Sequence, residues 1–441
     1  MIQHSTRGTP AAREATLHGV LTPAGYLPRV ADGEVEFALR AAPAVVIEGS
    51  RATGKTWTGH RFAASAVTID DSDDVRLAVA LDPAALLDGD TPRLLDEWQL
   101  APRIWNPMRH ACDRRTRPGQ FILTGSADPP DDVTRHSGAG RVLRVRMRPM
   151  SLLESGESSG AVSLGRLLDG ELTAGGHSDL SIADLVDIVC QGGWPWLLGE
   201  SPQVAQARLR GYLGEIARTD VARSGGPAHD PAGVSRLLVS LGRNESTNVS
   251  YKTLAGDMSG GRDTPVHPRT AKSYIDALTR LFIVEGLPAW APHLRSRAQL
   301  RRSEKRYFVD PSLAVAALRT SPTRLRADLG FFGLLFESLV MRDLRVYAQT
   351  NDCRVSYFRD NTSLEVDAVI ERGDGEWMAV EIKLGGEKLI EQGVRSLLRL
   401  RNRVDTDRVG EPSALVIITA TGYGFKHREG VQVIPIATLG P

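Results

Sequence analysis

The sequence contains few cysteines, and it has no long hydrophobic run. Only three of its 441 residues are cysteine, at Cys112, Cys190 and Cys353, and these lie far apart in no metal-ligand spacing. This scarcity argues against a disulfide framework and a zinc site, and it favours a reducing compartment. No apolar run approaches the roughly 18 residues of a transmembrane helix. The first residues also lack the hydrophobic region of a secretory signal. We therefore expect a cytoplasmic protein without a membrane-spanning helix.

An excess of charge of one sign is also missing, because 54 basic residues balance 53 acidic ones. Basic residues nevertheless cluster locally, and residues 103–117 and 135–148 carry five arginines each. Such clusters line a phosphate or nucleic-acid surface, or they form solvated faces that pair with acids elsewhere. The sequence leaves both alternatives open. At roughly 150 residues per domain, the length predicts about three domains.

A short apolar run leading into a glycine-rich turn has the strongest chemical implication. Val45, Val46 and Ile47 are typical of a buried strand. The residues that follow Glu48 match the P-loop pattern G-x-x-x-x-G-K-[ST], namely Gly49, Ser50, Arg51, Ala52, Thr53, Gly54, Lys55 and Thr56. Backbone N–H groups of this turn and of the next helix bind phosphates, the lysine reaches the β- and γ-phosphates, and the hydroxyl ligates Mg²⁺. We therefore expect ATP and Mg²⁺ as ligands.

A second motif, Leu94-Leu95-Asp96-Glu97, is typical of a strand that ends in a Walker B pair. In this role Asp96 holds the metal and Glu97 polarises the attacking water. The alternative is an ordinary Asp-Glu pair on the protein surface, because only two leucines precede the acids. Gln99 is either a water-positioning residue or a surface glutamine. Strands that alternate with helices predict a parallel sheet with phosphate chemistry at its carboxyl edge.

Two further segments supply candidates for sensing and completing the reaction. Phe121 to Leu123 predict a strand, and Thr124 or Ser126 at its end is a candidate γ-phosphate sensor, although such residues are also ordinary in turns. Arg141 follows a glycine-flanked loop and is a candidate arginine finger. It would act within the chain or on a neighbouring copy, and a solvated arginine is the alternative.

These runs resemble a known family. LLDEWQ, FILTGS and SGAGR followed by RPMSLLE are similar to bacterial and archaeal AAA-type P-loop ATPases whose C-terminal half is a domain of unknown function. The resemblance continues through Gly192–Pro195, Tyr307–Asp310 and Gly333–Glu337, and so covers the chain from about Gly25 to beyond Lys383. It implies ATP binding and hydrolysis. The departure is the thin Walker B strand, where four apolar residues would be usual.

The middle of the chain predicts helices. Residues 150–180 are rich in serine and glycine and are interpreted as a linker, and helices follow from Ile182 to Arg223. Three helices and a strand between residues 231 and 290 predict a winged-helix module. Arg269 and Lys272 lie on its candidate recognition helix. Such modules bind either DNA or proteins, so both partners stay open.

The last third predicts a second acidic site. Asp367 and Glu381-x-Lys383 lie on adjoining predicted strands, and Glu337 lies on a preceding helix. This arrangement resembles the PD-(D/E)XK core of restriction-endonuclease-like proteins. Asp367 and Glu381, with Glu337, would hold Mg²⁺ beside a scissile phosphate, and Lys383 would activate water. The alternatives are a chance convergence of charges and a nuclease-like fold that cuts nothing.

The sequence therefore predicts a multidomain α/β protein with a P-loop parallel sheet, a helical and winged-helix middle and a nuclease-like end. The expected segments are 1–24 (a flexible terminus), 25–150 (ATPase), 151–225 (linker and helices), 226–305 (winged helix) and 306–441 (nuclease-like). The expected activity is ATP hydrolysis coupled to nucleic acid. The alternatives are an ATP-driven switch for a protein partner with an inert C-terminal domain, and a toxin-like or defence factor. The sequence does not decide whether the protein is an oligomer.

Overall fold

A computed structural model describes residues 22–70, 72–127, 137–171, 176–221, 230–260, 265–292 and 303–441. Most of the predicted flexible terminus, residues 1–24, lies outside these ranges. Within them, no helix has both the length and the apolar character needed to cross a bilayer.

The N-terminal region is a parallel sheet with helices around it, as predicted. Its strands are β1 Ala44–Glu48, β2 Ser65–Thr68, β3 Arg93–Asp96, β4 Phe121–Gly125 and β5 Val142–Arg146. The order across the sheet is β2-β3-β4-β1-β5. The helices are α1 Asp32–Ala41, α2 Lys55–Phe62, α3 Asp73–Leu81 and α4 Trp105–Arg115. All of β4 and most of β1 are buried, because helices cover both faces of the central strands.

The first helix begins later than its hydrophobic spacing predicts. The spacing predicts a helix from Tyr26, whereas α1 begins at Asp32. The Asp32 carboxylate accepts hydrogen bonds from the Arg29 backbone N–H at 3.2 Å and from the Tyr26 hydroxyl at 2.5 Å. These contacts hold residues 26–29 outside the helix and beside the P-loop.

The prediction of a linker at residues 150–180 is wrong, because its described part contains short helices, short strands and buried side chains. It contains α5 Leu152–Ser155, β6 Val162–Ser163, α6 Leu164–Leu168 and β7 His177–Ser178. Leu152, Leu164 and Leu167 are buried in the core. The Ser158 hydroxyl donates to the Leu439 carbonyl at 2.7 Å. The serines and glycines therefore serve tight turns and contacts with the far end of the chain.

The middle region is mainly helical and contains one pair of antiparallel strands in its described part. Its helices are α7 Ile182–Gln191, α8 Pro202–Glu215, α9 Pro231–Arg243, α10 Tyr251–Ser259, α11 Pro268–Arg280, α12 Pro311–Leu318 and α13 Pro322–Ala327. A π-helical turn, Ile216–Asp220, continues α8. The antiparallel strands β8 Val284–Leu287 and β9 Lys305–Phe308 follow α11. The boundary predicted between residues 305 and 306 falls inside β9.

The C-terminal region is a mixed sheet packed against two long helices. Its elements are α14 Leu329–Thr350, β10 Cys353–Arg359, β11 Glu365–Arg372, β12 Trp377–Lys383, α15 Glu387–Arg403, α16 Thr406–Val409, β13 Ala414–Thr419, β14 Gly422–Tyr423, β15 Phe425–Lys426, β16 Gln432–Pro435 and β17 Leu439–Gly440. The larger sheet has the order β10-β11-β12-β13-β16-β15. Strands β10 to β12 are antiparallel, and β13 runs parallel to β12.

Candidate nucleotide site and a second acidic site

The P-loop lies at the carboxyl edge of the N-terminal sheet, between β1 and α2. Gly49 passes so close to β5 that a Cβ there would lie 2.0 Å from the Met147 carbonyl oxygen. Gly54 has φ 99° and caps α2, which begins at Lys55. Lys55 is buried, and its ammonium donates to the Ser50 carbonyl at 2.7 Å. The turn therefore presents its backbone and its lysine to one small region.

Asp96 ends β3 within reach of this turn. The Thr56 hydroxyl donates to the Asp96 carboxylate at 2.9 Å, and the Thr124 hydroxyl donates to the same carboxylate oxygen. Strand β4 lies between β1 and β3, and this places Thr124 beside both motifs. The structure thus brings together three residues that the sequence assigned to separate motifs.

Glu97 follows Asp96 in a left-handed conformation, with φ 58°. Its backbone N–H donates to the Thr124 hydroxyl at 3.3 Å. Its carboxylate accepts from the Ser126 hydroxyl at 3.3 Å and from the Gln99 amide. Gln99 and Ser126 therefore orient Glu97, a role that the sequence motifs predict for neither of them.

Burial dominates the electrostatics of Lys55. Desolvation lowers the pKa of its ammonium to about 8, although the Glu97 and Asp96 carboxylates act in the opposite direction. A bound polyphosphate would add negative charge and favour the charged form.

A cavity of about 560 Å³ opens beside Lys55 and Thr56 and extends to Tyr26, Pro195 and Trp196. Arg29 also lines it, and its guanidinium donates to the Thr53 carbonyl of the P-loop at 2.6 Å. No sequence motif predicts a site role for Tyr26, Arg29 or Trp196. The Gly-Gly-Trp-Pro run before Trp196 belongs only to the family resemblance.

Arg141 lies at the opposite edge of the sheet from the P-loop. Its carbonyl accepts from the Ala44 N–H at 3.1 Å, at the start of β1, whereas the P-loop follows the end of that strand. About 13 Å of strand separates the two edges. The guanidinium pairs with Asp113. The expectation of an arginine finger acting within the chain is therefore wrong, and a role towards a neighbouring copy stays a prediction.

The described arginines of the basic cluster at residues 135–148 form ion pairs with acidic residues of the same chain. Arg144 pairs with Glu48 at 2.6 Å, and Arg146 and Arg148 both pair with Glu285, at 2.9 and 3.1 Å. The guanidinium groups of these three residues thus join β5 to acids of the chain itself. The described part of this cluster fits the second of the two alternatives left open by the sequence.

The second acidic site lies on β11 and β12. The Lys383 ammonium is 3.4 Å from the Asp367 carboxylate and also contacts the Glu381 carboxylate. The Asp367 carboxylate also accepts from the Ile382 backbone N–H at 2.8 Å. A cavity of about 340 Å³ beside them is lined by Glu365, Gln392 and Arg399 as well. The structure therefore places these three charged residues together, with the lysine between the two acids.

Glu337 is close enough to Asp367 to interact with it, but its carboxylate is hydrogen-bonded to other side chains, and among the described residues no three-carboxylate metal set forms as expected. Its carboxylate accepts from the Tyr307 hydroxyl at 2.8 Å and from Lys305 at 3.2 Å. Lys305 is buried and also pairs with Glu365 at 2.7 Å. No motif in the sequence around Lys305 predicts these two ion pairs.

Burial and crowding favour protonation of two of these acids. Burial raises the pKa of Glu337 to about 7 and that of Glu381 to about 8, and the Asp367 carboxylate adds to both shifts. For Lys383, burial lowers the pKa, but Asp367 and Glu381 outweigh it and the net direction is upward. The site therefore holds a charged lysine beside Glu381, whose carboxyl resists ionisation.

Metal binding at either site depends on pairs of oxygen ligands. In the described ranges, no group of three or more His, Cys, Asp or Glu side chains is arranged to hold a metal ion. Thr56 and Asp96 offer two oxygens 2.9 Å apart beside the P-loop, and this donor set suits Mg²⁺ completed by phosphate and water. Asp367 and Glu381 offer a second pair, which Lys383 occupies.

Comparisons with known proteins place an ATPase domain where these contacts lie. Residues 41–155 match a family model described as an AAA domain, and residues 182–324 and 332–439 each match a domain of unknown function, DUF8612 and DUF4143. Relatives in Mycobacterium bovis and Mycobacterium tuberculosis, both titled uncharacterized protein, are 27% identical over 376 residues. The match covers 84% of this chain and 77% of each relative.

A Walker-type ATPase of Pyrococcus abyssi is among the solved structures that match. It is 14% identical to this chain, and the match covers 66% of this chain and 94% of that one. The TM-score of 0.39 does not establish a shared fold. The match of residues 41–155 to an AAA domain supports an ATP-binding P-loop domain in the N-terminal region, and the parallel sheet agrees with it.

Proposed function

We propose that this protein binds and hydrolyses Mg·ATP at the Lys55 site and uses the cycle to control its C-terminal domain. The observation that carries the proposal is the convergence of Lys55, Thr56, Asp96 and Glu97 at one sheet edge. The proposal also rests on the match of residues 41–155 to an AAA domain.

In this mechanism each residue has a distinct role. The P-loop N–H groups and Lys55 bind the β- and γ-phosphates. Thr56 and Asp96 would hold Mg²⁺, which neutralises charge on the phosphates when bound. Glu97 orients water for in-line attack, and Gln99 and Ser126 keep its carboxylate in place.

The C-terminal domain supports a nuclease-like interpretation. Helix α14, strands β10 to β12, helix α15 and strand β13 follow in that order, with Asp367 on β11 and Glu381-x-Lys383 on β12. This order and placement fit the PD-(D/E)XK pattern that the sequence resembles. Phosphodiester cleavage is therefore the second candidate function. The cavity beside Asp367, Glu381 and Lys383 favours it.

The contacts of Lys383 and Glu337 favour the switch over cleavage. Lys383 pairs with both acids expected to hold metal, and Glu337 is bound to Lys305.

In the middle region, helices α9 to α11 and the antiparallel strands β8 and β9 support a winged-helix module. Lys272 on α11 pairs with Asp276 at 2.7 Å, and Arg269 is exposed. This face is suited to a nucleic acid or an acidic protein.

A paired assay on the purified chain tests these functions. Phosphate release and cleavage of single- and double-stranded DNA and RNA would be followed with Mg²⁺ and ATP for wild type, Lys55→Ala and Lys383→Ala. Lys388→Ala, an exposed lysine near Lys383 on α15, is the matched control. The switch predicts phosphate release that Lys55→Ala abolishes, with no cleavage. Cleavage lost only in Lys383→Ala would favour the nuclease, and no phosphate release by wild type would refute the ATPase.

A further inference from the structure

The P-loop is held from outside its own domain, and the contacts converge on Arg51. The Arg51 carbonyl accepts from the Trp194 indole N–H at 3.1 Å and from the Tyr212 hydroxyl at 3.4 Å. The Arg51 guanidinium lies 3.2 Å from the Asp220 carboxylate. Trp194, Tyr212 and Asp220 all belong to the region that matches a domain of unknown function.

Arg51 directly precedes a residue in an unfavourable backbone conformation. Ala52, the next residue, has φ 61°, in the left-handed region that a Cβ disfavours. Two hydrogen bonds to the Arg51 carbonyl fix the peptide group that joins Arg51 to Ala52. Removing them would release a loop whose backbone N–H groups are the proposed phosphate ligands.

The holding residues are themselves placed firmly. Trp194 is buried, and its ring packs edge-on against Tyr212 with 5.7 Å between centroids. The preceding Gly193 donates to Asp310 at 3.0 Å, and a Cβ there would lie 2.3 Å from the Met150 carbonyl oxygen. Asp220 is only 4% exposed and ends the π-helical turn, a feature common at functional positions.

We infer that Trp194, Tyr212 and Asp220 are positioning residues that set the nucleotide affinity of the P-loop through Arg51. This inference rests on the proposed function, because it concerns the same phosphate site. It assigns the helical segment around α8 a part in nucleotide binding in addition to packing. Trp196, two residues beyond Trp194, lines the nucleotide cavity, so the segment also contacts that space directly.

Calorimetric titration of the full-length chain with Mg·ADP tests this inference. Asp220→Asn and Tyr212→Phe are each expected to weaken binding about three- to tenfold, the usual effect of losing one hydrogen bond or partly exposed ion pair. The double variant should weaken it further. Asp220→Glu, which keeps the carboxylate, should recover most of the affinity.

Glu215→Gln is the matched control, because it removes the partner of Arg218 in an exposed pair next to the same turn. A purely structural role would lower the fraction of binding-competent protein and the melting temperature without changing Kd. Affinity in Asp220→Asn and Tyr212→Phe equal to that of Glu215→Gln, or tighter, would overturn the inference while leaving the proposed function intact. If wild type bound no Mg·ADP, both proposals would fail.

Discussion

The two candidate sites differ in how their charges are balanced. At the N-terminal site, Lys55 donates to a loop carbonyl, and hydroxyls rather than cations contact Asp96. At the C-terminal site, Lys383 pairs with Asp367 and Glu381, and Lys305 pairs with Glu337. The N-terminal site is therefore suited to an anion that binds together with a metal ion. At the C-terminal site, lysines already pair with the acidic residues.

This difference suggests a division of labour, in which the N-terminal site performs the chemistry. A buried chain of contacts connects the two regions. Asp310 accepts from Gly193, the residue before Trp194, and pairs at 2.8 Å with Arg342 of α14, the helix that also carries Glu337. Asp343, next in α14, accepts from the Leu152 N–H at 3.0 Å. Helix α14, which carries Glu337, is therefore connected through Asp310 to the segment that contacts the P-loop from outside its domain.

Removing the lysine of the P-loop should give the largest effect. We expect Lys55→Ala to lower kcat/KM for ATP by about 10²- to 10³-fold, since it deletes a preorganised charge at the transferred phosphate. Steady-state phosphate release measures this, with Lys388→Ala as the control. A loss below tenfold would mean that Lys55 is not a catalytic residue.

Changing the proposed water-orienting residue should separate binding from hydrolysis. Glu97→Gln is expected to lower kcat about 100-fold while Kd for Mg·ADP stays within about twofold, because the carboxylate acts in the reaction step. Single-turnover hydrolysis and calorimetry measure the two quantities. Equal losses in kcat and in binding would instead assign Glu97 to ligand binding.

Breaking the connection between the sites should cost stability. Arg342→Met leaves the buried Asp310 and Asp343 without their cation, and we expect the free energy of unfolding to fall by about 3–5 kcal/mol. Urea denaturation checks this. Arg326→Met, which breaks the exposed pair with Asp187, should cost at most about 1 kcal/mol. Similar costs for both variants would contradict the buried connection.

The acidic site should also have a pH signature. Burial and Asp367 raise the folded-state pKa of Glu337 to about 7, from its ordinary value of 4.5. The folded chain therefore binds more protons than the unfolded chain between these values, and stability contributed by Glu337 falls as pH rises through the window. Glu337→Gln should flatten the dependence of unfolding free energy between pH 5 and 7 relative to the exposed control Glu376→Gln. An unchanged slope would contradict the assignment.

The smallest effect is expected for Arg141→Ala at low protein concentration. Arg141 pairs with Asp113 at the sheet edge away from the P-loop, so hydrolysis within one chain should change less than about twofold. If Arg141 serves a neighbouring copy, the ATPase rate per chain will rise with protein concentration, and the variant will lose that rise. If the rate were independent of protein concentration and Arg141→Ala still caused a large loss, Arg141 would act within its own chain, contrary to this prediction.

The sequence by itself determined the parts of the protein that depend on neighbours in the chain. The apolar run before Gly49 and the glycines at 49 and 54 specify a strand, an anion-binding turn and a helix, because their backbone requirements are local. The strands that end at Asp96 and Gly125 also followed from short patterns. The parallel order of these strands placed both ends at the predicted edge.

Only the tertiary structure decided which distant groups meet. Arg141 and Arg146 are five residues apart, yet they lie at opposite edges of the sheet because β5 runs between them. Lys305 reaches Glu337 from strand β9, and Asp220 reaches Arg51 from the π-helical turn after α8. Such pairs depend on the packing of whole elements against one another, and no residue pattern near either partner encodes them.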